Sequence, residues 1–172
     1  MSRQIWYLTI TVFFILIASM LICGTIPVGN GAGWDGAGYL RVIEDIGKGI
    51  FLKNDPYHVT RLPGFALLIL FSVLGFKGGD LVNIQIGVNI LLATSSVILI
   101  YHTLTTLTSS KARSTICALT LLFSWPLLVM PVYYPILSDH IALFISCLSI
   151  WLWANHHQKF LYAISGDFTS MR

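Results

Sequence analysis

Long uncharged runs alternate with short polar interruptions along this chain, and that rhythm predicts most of its elements. From Ile5 to Val28 no charged side chain occurs. A helix of about 20 apolar residues crosses a hydrocarbon core about 30 Å thick, so the run predicts a membrane span. It outlasts the ~7–15-residue core of a cleaved secretory signal and lacks an A-x-A site. "LICG", 21–24, is no lipoprotein box, because Ile22 is too large beside Cys23. Further spans are expected over 81–104, 114–137 and 138–157. A last apolar run opens at Phe160 and stops at Arg172 before it crosses.

The region 29–80 breaks the rhythm. Tyr39, Leu40, Ile43, Ile46 and Gly47 recur at helical spacing, with Arg41, Glu44, Asp45 and Lys48 between them. Such a pattern predicts a short amphipathic helix lying on a membrane surface. "GFALLILFSVLGF", 64–76, is too short to span and reads as a re-entrant or interfacial helix. The expected fold is therefore all-α: one domain over 1–172, a polytopic membrane helix bundle with interfacial helices in its first outer loop.

Composition sharpens this. Hydrophobic residues make up 56% and charged ones 10% of the 172 residues, against roughly a quarter charged in soluble domains. Mean hydropathy is +0.80. These values fit an integral membrane protein and exclude an ordinary soluble enzyme. Arg3, then Lys111 with Arg113, then Lys159 fall on one side if the spans alternate, while 131–139 holds no Lys or Arg. Short basic loops stay in the cytoplasm, which puts the N-terminus inside and 29–80 outside. The net charge of +3 is scattered, with no basic run to track a phosphate backbone, so nucleic acid is not an expected partner. Cys23, Cys117 and Cys147 lie in apolar runs without CxxC spacing, which supports neither a disulfide framework nor a metal site.

Charge is nonetheless concentrated. Gly33 to Gly64 carries Asp35, Arg41, Glu44, Asp45, Lys48, Lys53, Asp55 and Arg61, eight of the seventeen charged side chains. Gly31, Gly33 and Gly36 spell GxGxxG, but a dinucleotide site needs a strand leading into it, and here a membrane helix does. The glycines fit a sharp turn from bilayer to surface helix. "IGKGI" is not a P-loop, and DxD, HExxH and GxSxG are absent. Asp35 is a candidate general base or charge stabiliser, against the plainer role of a helix N-cap. Asp139 and His140 open the fourth span, where ionisable groups are costly unless hydrated, paired or used. Arg61, with His58 and Lys53 before it, suits a lipid-linked phosphate or simple snorkelling to head groups. Asn83, Gln85 and Asn89 suit hydrogen bonding between helices or a polar path. Pro126, Pro131 and Pro135 interrupt the third span, where neighbours must satisfy the freed carbonyls.

In this order the elements resemble the bacterial relatives of the dolichyl-phosphate-mannose protein mannosyltransferases. Those are GT-C membrane glycosyltransferases, alongside the aminoarabinose transferases that modify lipid A. The resemblance rests on Asp35 with Tyr39 four positions later, on Arg61, Pro63, Gly64 and Phe65 (R-x-P-G-[YF]), and on Ser138 with Asp139. It covers about 5–164 and only the amino-terminal part of such an enzyme. It implies an inverting transfer of sugar from a polyprenyl-phosphate donor to an acceptor outside the bacterial inner membrane. The lipid-linked sugar is then the substrate, and no further cofactor or metal is implied. Asp35 takes the acid-base role, Asp139 supports it, and Arg61 faces the donor phosphate; Tyr39, His58 and His140 join the substrate-binding set. Gly36 stands where many relatives carry a second acid, and relatives carry more spans. The chain is thus expected to be truncated or to need a partner chain that supplies helices. The rival readings are a non-catalytic small membrane protein and, third, a transporter fragment.

Overall fold

The computed structural model describes residues 3–50, 65–136 and 139–165. His58, Arg61, Lys53, Asp55 and Ser138 lie outside the described residues. Among those described, the secondary structure is helical and no strand occurs. The helices are α1 (Arg3–Cys23), α2 (Trp34–Gly47), α3 (Ala66–Val73), α4 (Gly79–Thr108), α5 (Lys111–Leu122), α6 (Trp125–Leu128), α7 (Met130–Tyr133) and α8 (Asp139–Ser165).

Two of them, α1 and α4, are long and apolar enough to cross a membrane. In α1 the apolar residues surround the helix, yet only the stripe Leu8, Val12, Leu16 and Ser19 is buried. Its spacing of three to four residues is one helix face. Trp6, Tyr7, Phe14, Leu21 and Ile22 point outward. A helix that is apolar all round belongs inside a core or a bilayer. The helix ends at Cys23, where Gly24 takes φ +62°, short of the expected Val28.

At the centre lies α4, which packs against α1, α3, α5, α7 and α8. Its 30 residues run about 45 Å, longer than the 81–104 expected. Buried positions occur along its length, from Leu81 through Ile86, Ile90 and Val97 to Tyr101. A left-handed residue, Ser109 at φ 54°, stops it, and only Ser110 separates it from α5. Lys111 and Arg113 therefore sit in a helix, not in the connector that their polarity suggested.

The run 114–137 is not one helix. After Leu122 the chain turns, and Pro126 and Pro131 each sit in the first turn of a separate four-residue helix. Proline has no N–H to donate and fits only a first turn, so it divides the segment. Other elements take up its carbonyls. Ser19 Oγ donates to the Leu128 carbonyl at 2.9 Å, and the Ile26 N–H donates to that of Tyr133 at 3.2 Å. Asn89 Nδ2 donates to the Pro131 carbonyl at 3.1 Å and to the Pro135 carbonyl at 2.8 Å.

The last helix differs the other way. Where a fourth span was expected to end at His157 and a fifth to open at Phe160, α8 continues unbroken through "NHHQK" to Ser165. Polar residues do not end a helix without a Gly, a Pro or a competing cap.

Helices α2 and α3 form a tight pair. The amphipathic segment begins at Trp34, five residues before the first apolar position that predicted it. Leu40, Val42 and Ile43 are buried, and Arg41 and Lys48 are exposed. A Cβ on Gly47 would lie 2.9 Å from both the carbonyl carbon and the Cβ of Ser72, so only glycine lets these backbones approach. From α3, Leu68 and Ser72 face inward, whereas Leu67, Leu70 and Val73 face out.

Candidate functional site

Four of the chain's candidate residues, Asp35, Tyr39, Asp139 and His140, lie near the starts of two helices. The first start is that of α2. Its N-cap is Gly33, at φ +81° and with no side-chain cap bond, so Asp35 is not the cap. It stands in the first helical turn, exposed, where the positive end of the helix dipole favours a carboxylate. Gly31 and Gly33 serve the turn between α1 and α2 while Gly36 lies within α2, and among the described residues no strand precedes them, as a phosphate-cradling βαβ unit would need.

The second start is that of α8. Asp139 is its first helical residue and is exposed. His140, next to it, is 3% exposed. Its ring hydrogen-bonds with the backbone of Met130 in α7, and Nε2 has no partner. Burial of one imidazole nitrogen without a partner is costly. The only other such buried side-chain atom among the described residues is Thr94 Oγ1, in α4.

A contact one hundred residues apart in sequence joins the two starts. A Cβ on Gly36 would lie 3.1 Å from the Ile136 Cβ and 3.3 Å from the Ile136 carbonyl oxygen. One turn earlier, a Cβ on Gly33 would lie 3.4 Å from the Tyr134 ring. The first turn of α2 thus rests on the chain that leads into α8. Chain geometry then limits the Cα atoms of Asp35 and Asp139 to about 21 Å apart at most. Both carboxylates are exposed. A side chain at position 36 would press on Ile136.

Tyr39 lies on the inner face of α2, as its helical spacing predicted. It is 7% exposed, and its ring centroid lies 5.4 Å from that of Phe65, which is 1% exposed. The Tyr39 ring therefore packs within the α2–α3 core. His58 and Arg61, the other residues of the substrate-binding set, lie outside the described residues.

The charged face of α2 forms a second polar feature. Gly29, Asn30, Ala37, Arg41, Glu44 and Lys48 line an open cavity of about 210 Å³. Glu44 Oε1 accepts the Gly78 N–H at 2.7 Å, which ties α2 to the entry of α4. Lys48 Nζ lies 3.7 Å from Asp45 Oδ1. An exposed pair of this kind contributes little. Among the described residues, no group of three or more His, Cys, Asp and Glu is placed to hold a metal ion.

Of the two roles that the sequence offered for its amides, hydrogen bonding between segments is the one seen for the Gln85–Asn89 pair, though its partners were not legible. Gln85 Nε2 donates to Asn89 Oδ1 at 2.8 Å, while Asn89 spends its own N–H groups on the Pro131 and Pro135 carbonyls. The available signal was the i, i+4 spacing of the two amides, opposite a downstream segment with three prolines. Asn83, the third amide, is exposed. Comparison with known proteins returned no match: no family model, no curated protein and no solved structure corresponds to this chain.

Proposed function

We propose that this chain is the amino-terminal membrane module of a GT-C-type glycosyltransferase that takes sugar from a polyprenyl-phosphate donor. The observation that supports the reading is the Gly36–Ile136 contact, which sets the turn bearing Asp35 against a residue three positions before Asp139, both carboxylates being exposed. The reading also draws on the resemblance in 29–80 and on the apolar helices α1 and α4.

In this reaction the acceptor oxygen attacks the anomeric carbon as the bond from that carbon to the lipid phosphate breaks. Asp35 removes the acceptor proton, a role worth about 10²–10⁴ in rate. The phosphate leaves on the isoprenoid, its charge met by Arg61. Asp139 supports the site, and His58, His140 and Tyr39 contribute to substrate binding or to its walls. The N-terminus is cytoplasmic, 29–80 faces outward, and the membrane is the bacterial inner membrane; Arg3, Lys111, Arg113 and Lys159 support that orientation.

A second reading, a non-catalytic subunit that packs against further helices, draws on the outward apolar faces of α1 and α8. Phe14 and Leu21 of α1 and Ile150 and Trp153 of α8 are exposed. Transfer of labelled sugar from a polyprenyl-phosphate donor, in membranes that carry this chain with any co-purifying partner, separates the two. Loss of transfer with Asp35→Asn supports the enzyme. Unchanged transfer removes Asp35 from the chemistry, and absence of transfer in the unaltered membranes favours the subunit.

A further inference from the structure

We infer that Asn89 is a positioning residue: through the carbonyls of Pro131 and Pro135 it holds Asp35 and Asp139 in a fixed relation. As a statement about a catalytic site this rests on the glycosyltransferase reading. The geometric claim stands apart from it.

Asn89 has 0% exposure in the middle of the central helix. A buried amide is costly unless its hydrogen bonds are made. Here its oxygen receives Gln85 Nε2, and its nitrogen donates to two carbonyls on a segment more than forty residues away. Those carbonyls flank α7, at Pro131 within it and at Pro135 just beyond. Ile136 follows Pro135 directly, and Gly36 rests on Ile136. Contacts therefore run from the amide through Pro135 and Ile136 to the first turn of α2, and from Pro131 in α7 through the neighbouring Met130 backbone to His140 at the start of α8.

His140 of α8 also bonds the Met130 backbone, and Asn89 is the side chain that reaches both Pro131 and Pro135. The four-residue helices α6 and α7 make too few internal bonds to set their own direction. Ser19 and Ile26 secure Leu128 and Tyr133, while the carbonyls of Pro131 and Pro135 are taken by the amide. Gln85 orients the Asn89 side chain by occupying its oxygen, so that the nitrogen faces the carbonyls.

The test measures distance in the full chain, reconstituted in lipid nanodiscs with its three cysteines replaced. Spin labels on Asp35→Cys and Asp139→Cys report the two carboxylate positions. A second pair, Gln4→Cys and Thr115→Cys, reports α1 against α5, where these residues line a common cavity. We expect a narrow Asp35–Asp139 distribution in the otherwise unaltered chain. Asn89→Asp, which keeps the shape but removes the N–H donors, is expected to broaden it at least twofold, as is Asn89→Leu. The Gln4–Thr115 distribution is expected to stay unchanged. A broad Asp35–Asp139 distribution without any Asn89 substitution overturns the inference even if both variants misfold. So does a narrow one that persists in both variants, or equal broadening of the two pairs, which would make Asn89 a general packing residue. A transfer assay insensitive to Asp35→Asn, together with the expected distances, would remove the enzyme reading and leave the positioning role intact.

Discussion

Gly36 and Ile136 touch so closely that a Cβ on the glycine would sit 3.1 Å from the isoleucine Cβ. Such a distance is shorter than ordinary van der Waals contact, and one hundred residues of chain separate the pair. It joins the turn bearing Asp35 to the segment entering α8. Substitutions at Gly36 therefore probe the site without altering a carboxylate.

Gly36→Ala removes a helix penalty of about 0.5–1 kcal/mol while tightening the Ile136 contact, so the two effects nearly offset. Gly36→Asp, with a larger side chain, overfills the contact and is expected to cost about 1–3 kcal/mol. Thermal unfolding in detergent checks the contrast. A Gly36→Asp chain as stable as the parent would show that Ile136 yields freely.

Asn89→Leu leaves the carbonyls of Pro131 and Pro135 without their donor. Loss of a partner at a buried polar group costs about 1–3 kcal/mol, and interhelical bonds in membranes average about 0.6 kcal/mol. We expect about 1–2 kcal/mol in mixed-micelle unfolding, and less for Gln85→Leu, which touches no proline carbonyl. A double-mutant cycle is expected to give a coupling of at least about 0.5 kcal/mol. Additivity would mean that Gln85 does not orient Asn89.

Gly47→Val pushes a branched side chain into the Ser72 backbone and must separate α2 from α3. Amide exchange within 34–47 is expected to speed up at least tenfold, while α4 stays protected. Equal rates in parent and variant would contradict the close approach.

Orientation is open to a direct test. In intact cells a membrane-impermeant maleimide is expected to label Asp35→Cys and to spare Lys111→Cys until the membrane is broken. Both positions are exposed, so access and not burial decides the result. Labelling in the reverse order would put the carboxylate at position 35 in the cytoplasm and end the glycosyltransferase reading.

Much of the helical pattern was local and therefore legible in the chain itself. The uncharged run after Arg3 dictated α1, because an apolar segment without a breaker satisfies its backbone only by coiling. The spacing of Leu40 and Ile43 among charges marked α2, and the shortness of 64–76 marked α3. Helix ends were less legible: polarity suggested breaks at "TSSKARS" and "NHHQK", yet only the left-handed turn at Ser109 stops a helix. The prolines of 126–135 signalled an interruption, but not which side chains would claim the carbonyls. That answer came from Ser19 and Asn89, on helices distant in sequence. Tyr39, on the apolar side of α2 in the linear pattern, is buried against Phe65. Hydrophobic periodicity reports which face of a helix avoids water, since that depends on neighbours within a few residues. Which faces meet, and hence that Gly36 must stay bare beneath Ile136, depends on packing between segments a hundred residues apart, and only the folded chain decides it.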